Sequence, residues 1–123
     1  MITNFWKDIR FYCMNHDKPV LMTVMSGESA FYACPKYMLK DEEHPDGHEK
    51  GEPMCMNRIS FTRAQSVVDK LMEKVEKDRA AGVFAADYTG YRYNVSGIEV
   101  EVLKYSLESG MKIGILNRKA INP

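Results

Sequence analysis

Residues 11–16 have the sequence FYCMNH, in which two residues separate Cys13 from His16. Ligands with this spacing can face the same metal ion when the backbone turns tightly between them. Zinc suits such a pair, because its filled d-shell imposes no geometric preference beyond tetrahedral packing. The stretch therefore predicts the first half of a metal site, from which the rest of the chain can be interpreted.

The remaining two cysteines complete a set of four candidate ligands. Cys34 lies in the sequence FYACPKY (residues 31–37), where it begins a Cys-Pro turn, and Cys55 follows after a long intervening segment. Three cysteines cannot all pair in disulfides, whereas with one histidine they form a complete Cys3His set. We therefore predict one structural Zn²⁺ bound by Cys13, His16, Cys34 and Cys55.

The charge of this site has to be balanced by its surroundings. Three thiolates and one Zn²⁺ leave a single negative charge, which backbone N–H groups of the two turns, Lys36 or Arg58 would offset. The alternative to a metal site is a chain with three buried cysteines and a surface histidine.

A β-hairpin is predicted between the two ligand-bearing turns. Residues 20–25 are rich in β-branched residues, which are typical of strands. Residues 26–29 predict a turn, and residues 30–33 predict the returning strand that delivers Cys34. The chain thus runs from one ligand-bearing turn, through two strands, to the other.

The segment before the first ligand allows two interpretations. Phe5, Trp6 and Ile9, with Phe11 or Tyr12, are compatible with a short helix or with an irregular lead-in to a strand. Trp6 is the single tryptophan, and we expect it to be a core residue that caps the metal site.

Residues 40–53 form a polar segment with the sequence KDEEHPDGHEKGEP, which contains six acidic residues, two glycines and two prolines. Because none of these residues is suited to a core, we expect an exposed, mobile acidic loop. His44 and His48 lie four residues apart, but Pro45 and Gly47 argue against a helix there. Since four ligands exist without these histidines, we expect both to be exposed loop residues.

The clearest helix is predicted at residues 62–81. Thr62 and Gln65 match a capping box, and Ala81 followed by Gly82 is a plausible end of the helix. Apolar residues recur at helical spacing and predict one buried face. That face comprises Ala64, Val67, Val68, Leu71, Met72 and Val75.

A basic stripe lies beside the apolar face of this helix. Turning each residue by about 100° aligns four basic side chains. They are Arg63, Lys70, Lys74 and Lys77. The stripe has two interpretations, a solvated face with alternating charge or an edge that contacts phosphates.

Three further strands are predicted after the helix. Residues 91–96 and 98–102 alternate with a period of two and predict a hairpin, and residues 111–116 predict a third strand. The tyrosines at positions 88, 91, 93 and 105 are candidates for a base-stacking platform or for cross-strand core pairs. The fold class is therefore α+β, with a zinc-ribbon region at residues 1–60 and a helix with a three-stranded antiparallel sheet at residues 61–123.

Composition restricts the function further. Seventeen basic residues balance seventeen acidic ones, which weakens a case for non-specific nucleic-acid binding. The longest apolar run, residues 19–25, is too short to span a membrane, and the N-terminus lacks the pattern of a secretory signal. We expect a cytoplasmic, reducing setting and no membrane partner.

The motifs FYCxxH, FYACPKY and CMNRIS, which lie between residues 11 and 60, resemble those of zinc-ribbon-type small proteins of bacterial mobile and conjugative elements. The resemblance implies a ribbon or rubredoxin-like arrangement of two metal knuckles. It implies the same four ligands and no catalytic residues.

Together these observations predict a non-catalytic, zinc-stabilised binding module, encoded by a mobile element, that acts through a protein partner, for example by inhibiting or regulating a nucleic-acid enzyme. The acidic loop would imitate phosphate in a basic groove. One alternative is a nucleic-acid-binding regulator that uses the basic stripe. A second is a metal-dependent hydrolase that uses His44 or His48.

Overall fold

The computed structural model describes residues 9–83, 87–106 and 110–122, and confirms the α+β class. The strands are β1 (Ile9–Cys13), β2 (Met22–Ser26), β3 (Ser29–Ala33), β4 (Arg58–Ser60), β5 (Arg92–Val95), β6 (Ile98–Lys104) and β7 (Met111–Asn117). The helices are α1 (Phe61–Ala80) and α2 (Arg118–Ile121), with a 3-10 turn at Pro35–Tyr37. Phe5 and Trp6 lie outside the described residues.

The larger sheet has four strands in the order β1-β7-β6-β5, and this corrects the predicted three-stranded sheet. The antiparallel pairs β5–β6 and β6–β7 are present, but β1 adds a parallel strand along β7. Ile9, Phe11 and Cys13 alternate on one buried face of β1, so pairing with β7 continues the apolar surface of the sheet. Residues from both predicted regions therefore share one sheet.

The smaller sheet contains the predicted hairpin. β2 and β3 pair antiparallel around a turn in which Gly27 has a φ of 61°, and β4 pairs with β3 on the other side. The first strand begins two residues later than predicted, because Val20 forms an isolated bridge to Tyr12 of β1 instead. That bridge ties the start of the hairpin to the larger sheet.

Helix α1 begins with a different cap from the predicted one. Ser60 has extended backbone angles, and its Oγ accepts a hydrogen bond from the Arg63 N–H at 3.2 Å. Thr62 lies inside the helix, and the Gln65 side chain donates to Asp69 at 2.8 Å. The capping-box prediction is therefore wrong. The predicted end is confirmed, since Ala81 caps the helix and Gly82 follows with a φ of 83°.

The core lies between α1 and the sheets. Four residues of the predicted apolar face are buried, namely Ala64, Val67, Val68 and Leu71, and Met72 and Val75 pack against them. The Tyr93 hydroxyl donates to the Val67 carbonyl at 2.6 Å, which fastens β5 to the helix. Tyr88, Tyr91 and Tyr105 also pack on this core, and the Tyr88 ring contacts the other two at positions just outside β5 and β6.

No helix within the described residues combines the length and apolar character that crossing a bilayer requires.

The helix cap leads to a stability prediction. We expect Ser60→Ala to lower the free energy of unfolding by about 1 kcal/mol, because the Arg63 N–H loses its acceptor. Thr62→Ala is the matched control and is expected to change it by less than about 0.5 kcal/mol. Urea unfolding followed by circular dichroism measures both, and an equal loss in the two variants would show that Ser60 is not the cap.

Candidate metal centre

The four predicted ligands converge at one point. One side-chain donor atom from each of Cys13, His16, Cys34 and Cys55 lies within 4.8 Å of the others. They arrive from three segments: the end of β1 with its following turn, the end of β3, and the segment before β4. Residues far apart in the sequence are thus held at the spacing of a single coordination sphere.

The turn after β1 positions the first two ligands. The Cys13 N–H donates to the Pro19 carbonyl at 2.9 Å, and this hydrogen bond closes the turn formed by residues 14–18. Lys18 takes a positive φ of 59°, which allows the sharp return of the chain. The Met14 N–H donates to the Ile115 carbonyl at 3.0 Å and fastens the turn to β7.

The other two ligands are tethered to each other through the backbone. Cys34 precedes the 3-10 turn, where Pro35 occupies the first position, and its carbonyl accepts from the Tyr37 N–H at 2.8 Å. The Cys55 N–H donates to the Lys36 carbonyl at 2.9 Å. Both ends of the long segment between the cysteines therefore meet at the site.

The sulfur separation fits a metal ion and excludes a bonded disulfide. All three cysteines are free, and Cys13 Sγ lies 3.9 Å from Cys55 Sγ. A disulfide requires about 2.05 Å, whereas two thiolates bound tetrahedrally at about 2.3 Å from zinc lie about 3.8 Å apart. The three cysteines are buried and His16 is exposed, so the imidazole forms the rim of the site.

Two asparagine side chains donate hydrogen bonds to the sulfurs. Asn57 is completely buried, and its Nδ2 lies 3.1 Å from Cys13 Sγ and 3.0 Å from the Ile115 carbonyl. Asn15 Nδ2 lies 3.6 Å from Cys55 Sγ. Amide donors of this kind stabilise negative charge on thiolates and orient them.

The predicted backbone N–H donors are present, one at each sulfur. They are the N–H groups of Asn15 at Cys13, of Lys36 at Cys34 and of Asn57 at Cys55. Lys36 contributes its backbone carbonyl, and the Arg58 guanidinium lies over the rings of Phe31 and Tyr37. The sequence contains one signal for the asparagines, which is their position two residues after a cysteine ligand.

Hydrogen bonds among the three thiols couple their pKa values to one another. Hydrogen bonds from Cys13 and Cys34, then from Asn15 and Asn57, hold the pKa of Cys55 well below its ordinary value. Hydrogen bonds with Cys13 and Cys55, reinforced by burial, raise the pKa of Cys34. Neighbouring thiolates repel one another, so complete ionisation of the cluster calls for a cation among the sulfurs.

The two loop histidines are not members of the cluster. His48 Nδ1 lies 3.0 Å from the Lys36 carbonyl, and His44 Nδ1 lies 3.0 Å from an oxygen of Asp41. Both side chains are half-buried, so the prediction that they are solvent-exposed is wrong. Hydrogen bonds within the loop and to its base account for the difference.

The acidic loop is exposed, as predicted, but is held by specific backbone contacts. The Lys40 N–H donates to the His48 carbonyl at 2.8 Å, and the His48 N–H donates to the Met38 carbonyl at 2.9 Å. Gly47 is buried at this crossing, where a Cβ atom would lie 2.6 Å from the Met38 oxygen. A larger residue at position 47 would force the two segments apart.

The basic stripe is only partly available for contacts. Lys74 pairs with Asp78 at 3.1 Å and lies 5.9 Å from the centre of the Tyr91 ring. Lys70 and Lys77 are exposed, whereas Arg63 is half-buried at the start of α1. The four basic residues therefore differ in exposure and in pairing, and only Lys70 and Lys77 are fully exposed.

Compared with known proteins, the chain matches no protein-family model, no curated protein and no solved structure. The resemblance to zinc-ribbon proteins of mobile elements stays a prediction.

The amide donors at the sulfurs lead to a second prediction. We expect Asn57→Ala to lower the free energy of unfolding by about 2–3 kcal/mol, because it leaves buried groups without partners. Asn15→Ala removes one longer contact from an exposed residue and is expected to cost less than about 1 kcal/mol. Urea unfolding under reducing conditions measures both, and equal losses would contradict the role assigned to Asn57.

Proposed function

We propose that Cys13, His16, Cys34 and Cys55 bind one structural Zn²⁺, and that the protein is a non-catalytic binding module whose acidic loop contacts a protein partner. The observation that supports this most directly is the meeting of four donor atoms within 4.8 Å, three of them on buried cysteines.

The chemistry of the donors favours zinc in a structural role. Soft thiolate ligands select zinc over hard cations, and three cysteines with one histidine form a closed tetrahedral set. A catalytic zinc ion keeps one position open for water or substrate, whereas four protein ligands leave none. The proposal therefore favours a structural ion over the hydrolase alternative.

The position of the site explains what such an ion would stabilise. Cys13 belongs to the four-stranded sheet, Cys34 follows the hairpin of the three-stranded sheet, and Cys55 ends the long segment that contains the acidic loop. One ion would join these three parts as two knuckles of a zinc ribbon. In a chain of 123 residues, such a cross-link adds stability that a small core supplies only in part.

The acidic loop supports the proposal of a protein partner. Lys40 pairs with Glu49, and His44 lies beside Asp41. Glu42, Glu43 and Asp46 are exposed and have no cationic partner within the described part of the chain. Uncompensated carboxylates on an anchored loop are complementary to a basic groove such as that of a nucleic-acid enzyme.

Metal analysis tests the zinc proposal. We expect about one zinc ion per chain, lost in Cys55→Ser and weakened in His16→Ala, because each removes one of four ligands. Chelation of the wild-type protein should increase hydrogen exchange across residues 11–60.

The matched control is the double variant His44→Ala with His48→Ala, which should keep its zinc. Loss of zinc from this control would place a loop histidine in the site. Wild-type protein that contains no zinc and binds none when it is added would contradict the proposal.

A loop with three fewer negative charges tests the partner proposal. We expect nuclease-treated extract of the expressing cells to yield proteins retained by the wild-type chain and released by salt. The triple variant Glu42→Gln, Glu43→Gln and Asp46→Asn should retain several-fold less of them, because the attraction is electrostatic.

The control carries the same charge change on the exposed face of α1, as Asp69→Asn, Glu73→Gln and Glu76→Gln. Equal retention by the loop variant and the wild-type protein would contradict a role for the loop. In a separate assay, binding of an oligonucleotide at low salt, lost on Lys70→Glu with Lys77→Glu, would favour the regulator alternative.

A further inference from the structure

The strand β2 forms one edge of the smaller sheet, in which the strand order is β2-β3-β4. Within the described residues, no strand pairs with the free side of β2. An edge strand presents unpaired backbone N–H and C=O groups, to which a further strand can add. The free side of β2 is therefore a candidate interaction surface.

The hairpin turn determines which backbone groups of β2 point away from β3. Ser26 pairs with Ser29 across a two-residue turn, so the Ser26 carbonyl is directed toward β3. Because the direction of hydrogen bonding alternates along a strand, Val24 also directs its N–H and C=O groups toward β3. The backbone groups of Thr23 and Met25 therefore point outward from the edge of the sheet.

The side chains of β2 do not oppose the addition of a strand. Residues 19–27 contain no charged residue, and β2 itself contains neither a proline nor a bulge. Thr23 is exposed, and Met25 is 70% exposed, the highest value among the large apolar side chains that the structure describes. Charges, prolines and bulges are the usual means by which proteins block an edge strand, and β2 has none of them.

The other outer strands are better protected. On the outer side of β1, the Phe11 carbonyl accepts from the Leu21 N–H at 2.8 Å. The edge strand β5 has the charged Arg92, whose side chain is 78% exposed. The strand β4 has only three residues, and its Arg58 carbonyl accepts from the Asn117 side chain at 2.8 Å. Among the described strands, β2 thus presents the least protected edge.

The contact with β1 limits the register in which a second strand can pair with β2. Because the Leu21 N–H already bonds to Phe11, the free part of the edge begins at Thr23 and reaches the turn at Gly27. Thr23 and Gly27 are placed symmetrically about Met25. The free edge is therefore complementary to itself under a two-fold rotation centred on Met25.

We propose that two copies of this chain associate by antiparallel pairing of β2 with β2, with Met25 opposite Met25 and Thr23 opposite Gly27. The two three-stranded sheets then form one six-stranded sheet. The Met25 side chains contact each other at the two-fold axis and lose exposed apolar surface.

Charge and symmetry favour a second copy as the occupant of this edge. The paired residues are uncharged, and the two copies of Glu28 lie at opposite ends of the paired strands. Since both copies use the same edge, the assembly closes at two chains. The pairing needs neither the metal ligands nor the acidic loop, so it goes beyond the function proposed above.

Sedimentation velocity tests the association. Because the paired surface is small, we expect a weak dimer with a dissociation constant of about 0.1 mM. The purified chain should therefore change from monomer to dimer between about 10 µM and 1 mM.

NMR on a mixture of labelled and unlabelled chains tests the register. Val24 and Ser26 of different copies form a non-hydrogen-bonded pair, in which the Cα atoms lie about 4.5 Å apart. We expect a nuclear Overhauser effect between the α protons of these two residues in different copies.

Two substitutions at the axis test the contribution of Met25. Met25→Lys places like charges opposite each other, and Met25→Pro removes an outward N–H without removing a hydrogen bond to β3. Each should weaken association about tenfold or more. Val83→Lys changes a residue that is 48% exposed after the end of α1 and should leave association unchanged. Circular dichroism confirms that each variant is folded.

Three results would overturn the proposal. The first is a wild-type chain that remains monomeric at about 1 mM. The second is a dimer that Met25→Lys weakens no more than Val83→Lys does. The third is a dimer in which contacts between copies lie outside residues 22–28; slow hydrogen exchange of Thr23 and Met25 in a monomer would place another segment of the same chain on this edge.

Discussion

The structure depends on one constraint, which is the approach of three sulfurs and one imidazole to within 4.8 Å of one another. Three buried thiols at this distance repel one another once they ionise. A cation bound among them would neutralise that repulsion and, by coordinating all three sulfurs, would cross-link the segments that contain them. The cross-link would join β1, the hairpin and the base of the acidic loop. The hairpin and the acidic loop are largely exposed, so an ion at this point would add stability where the apolar core contributes least.

A chain of buried amides connects Cys13 to β7 and to the start of β4. Asn57 donates to Cys13 Sγ, and its Oδ1 accepts from the Asn117 N–H at 2.8 Å. Asn117 in turn donates to the Arg58 carbonyl. These residues are at or near the ends of the strands β4 and β7, where the two sheets approach each other. The same short network therefore joins Cys13 to the adjoining ends of β4 and β7.

Local patterns in the sequence predicted the elements whose formation depends on residues close together in the chain. The ligand spacing at Cys13, the hairpin, α1 and the strands after it all follow from such patterns. The parallel pairing of β1 with β7 does not follow from a local pattern. Nothing in the sequence of a five-residue strand indicates that it pairs with a strand about a hundred residues away. Ser60 was missed because Thr62 offers an equally good local cap, and Asn57 because its role arises only from contacts distant in sequence.

The most direct test of the metal centre is X-ray absorption at the zinc edge on protein purified without added metal. We expect three sulfur scatterers at about 2.3 Å and one nitrogen at about 2.0 Å from the ion. A first shell with two or fewer sulfurs, or with additional oxygen from solvent, would contradict a closed site formed by Cys13, His16, Cys34 and Cys55.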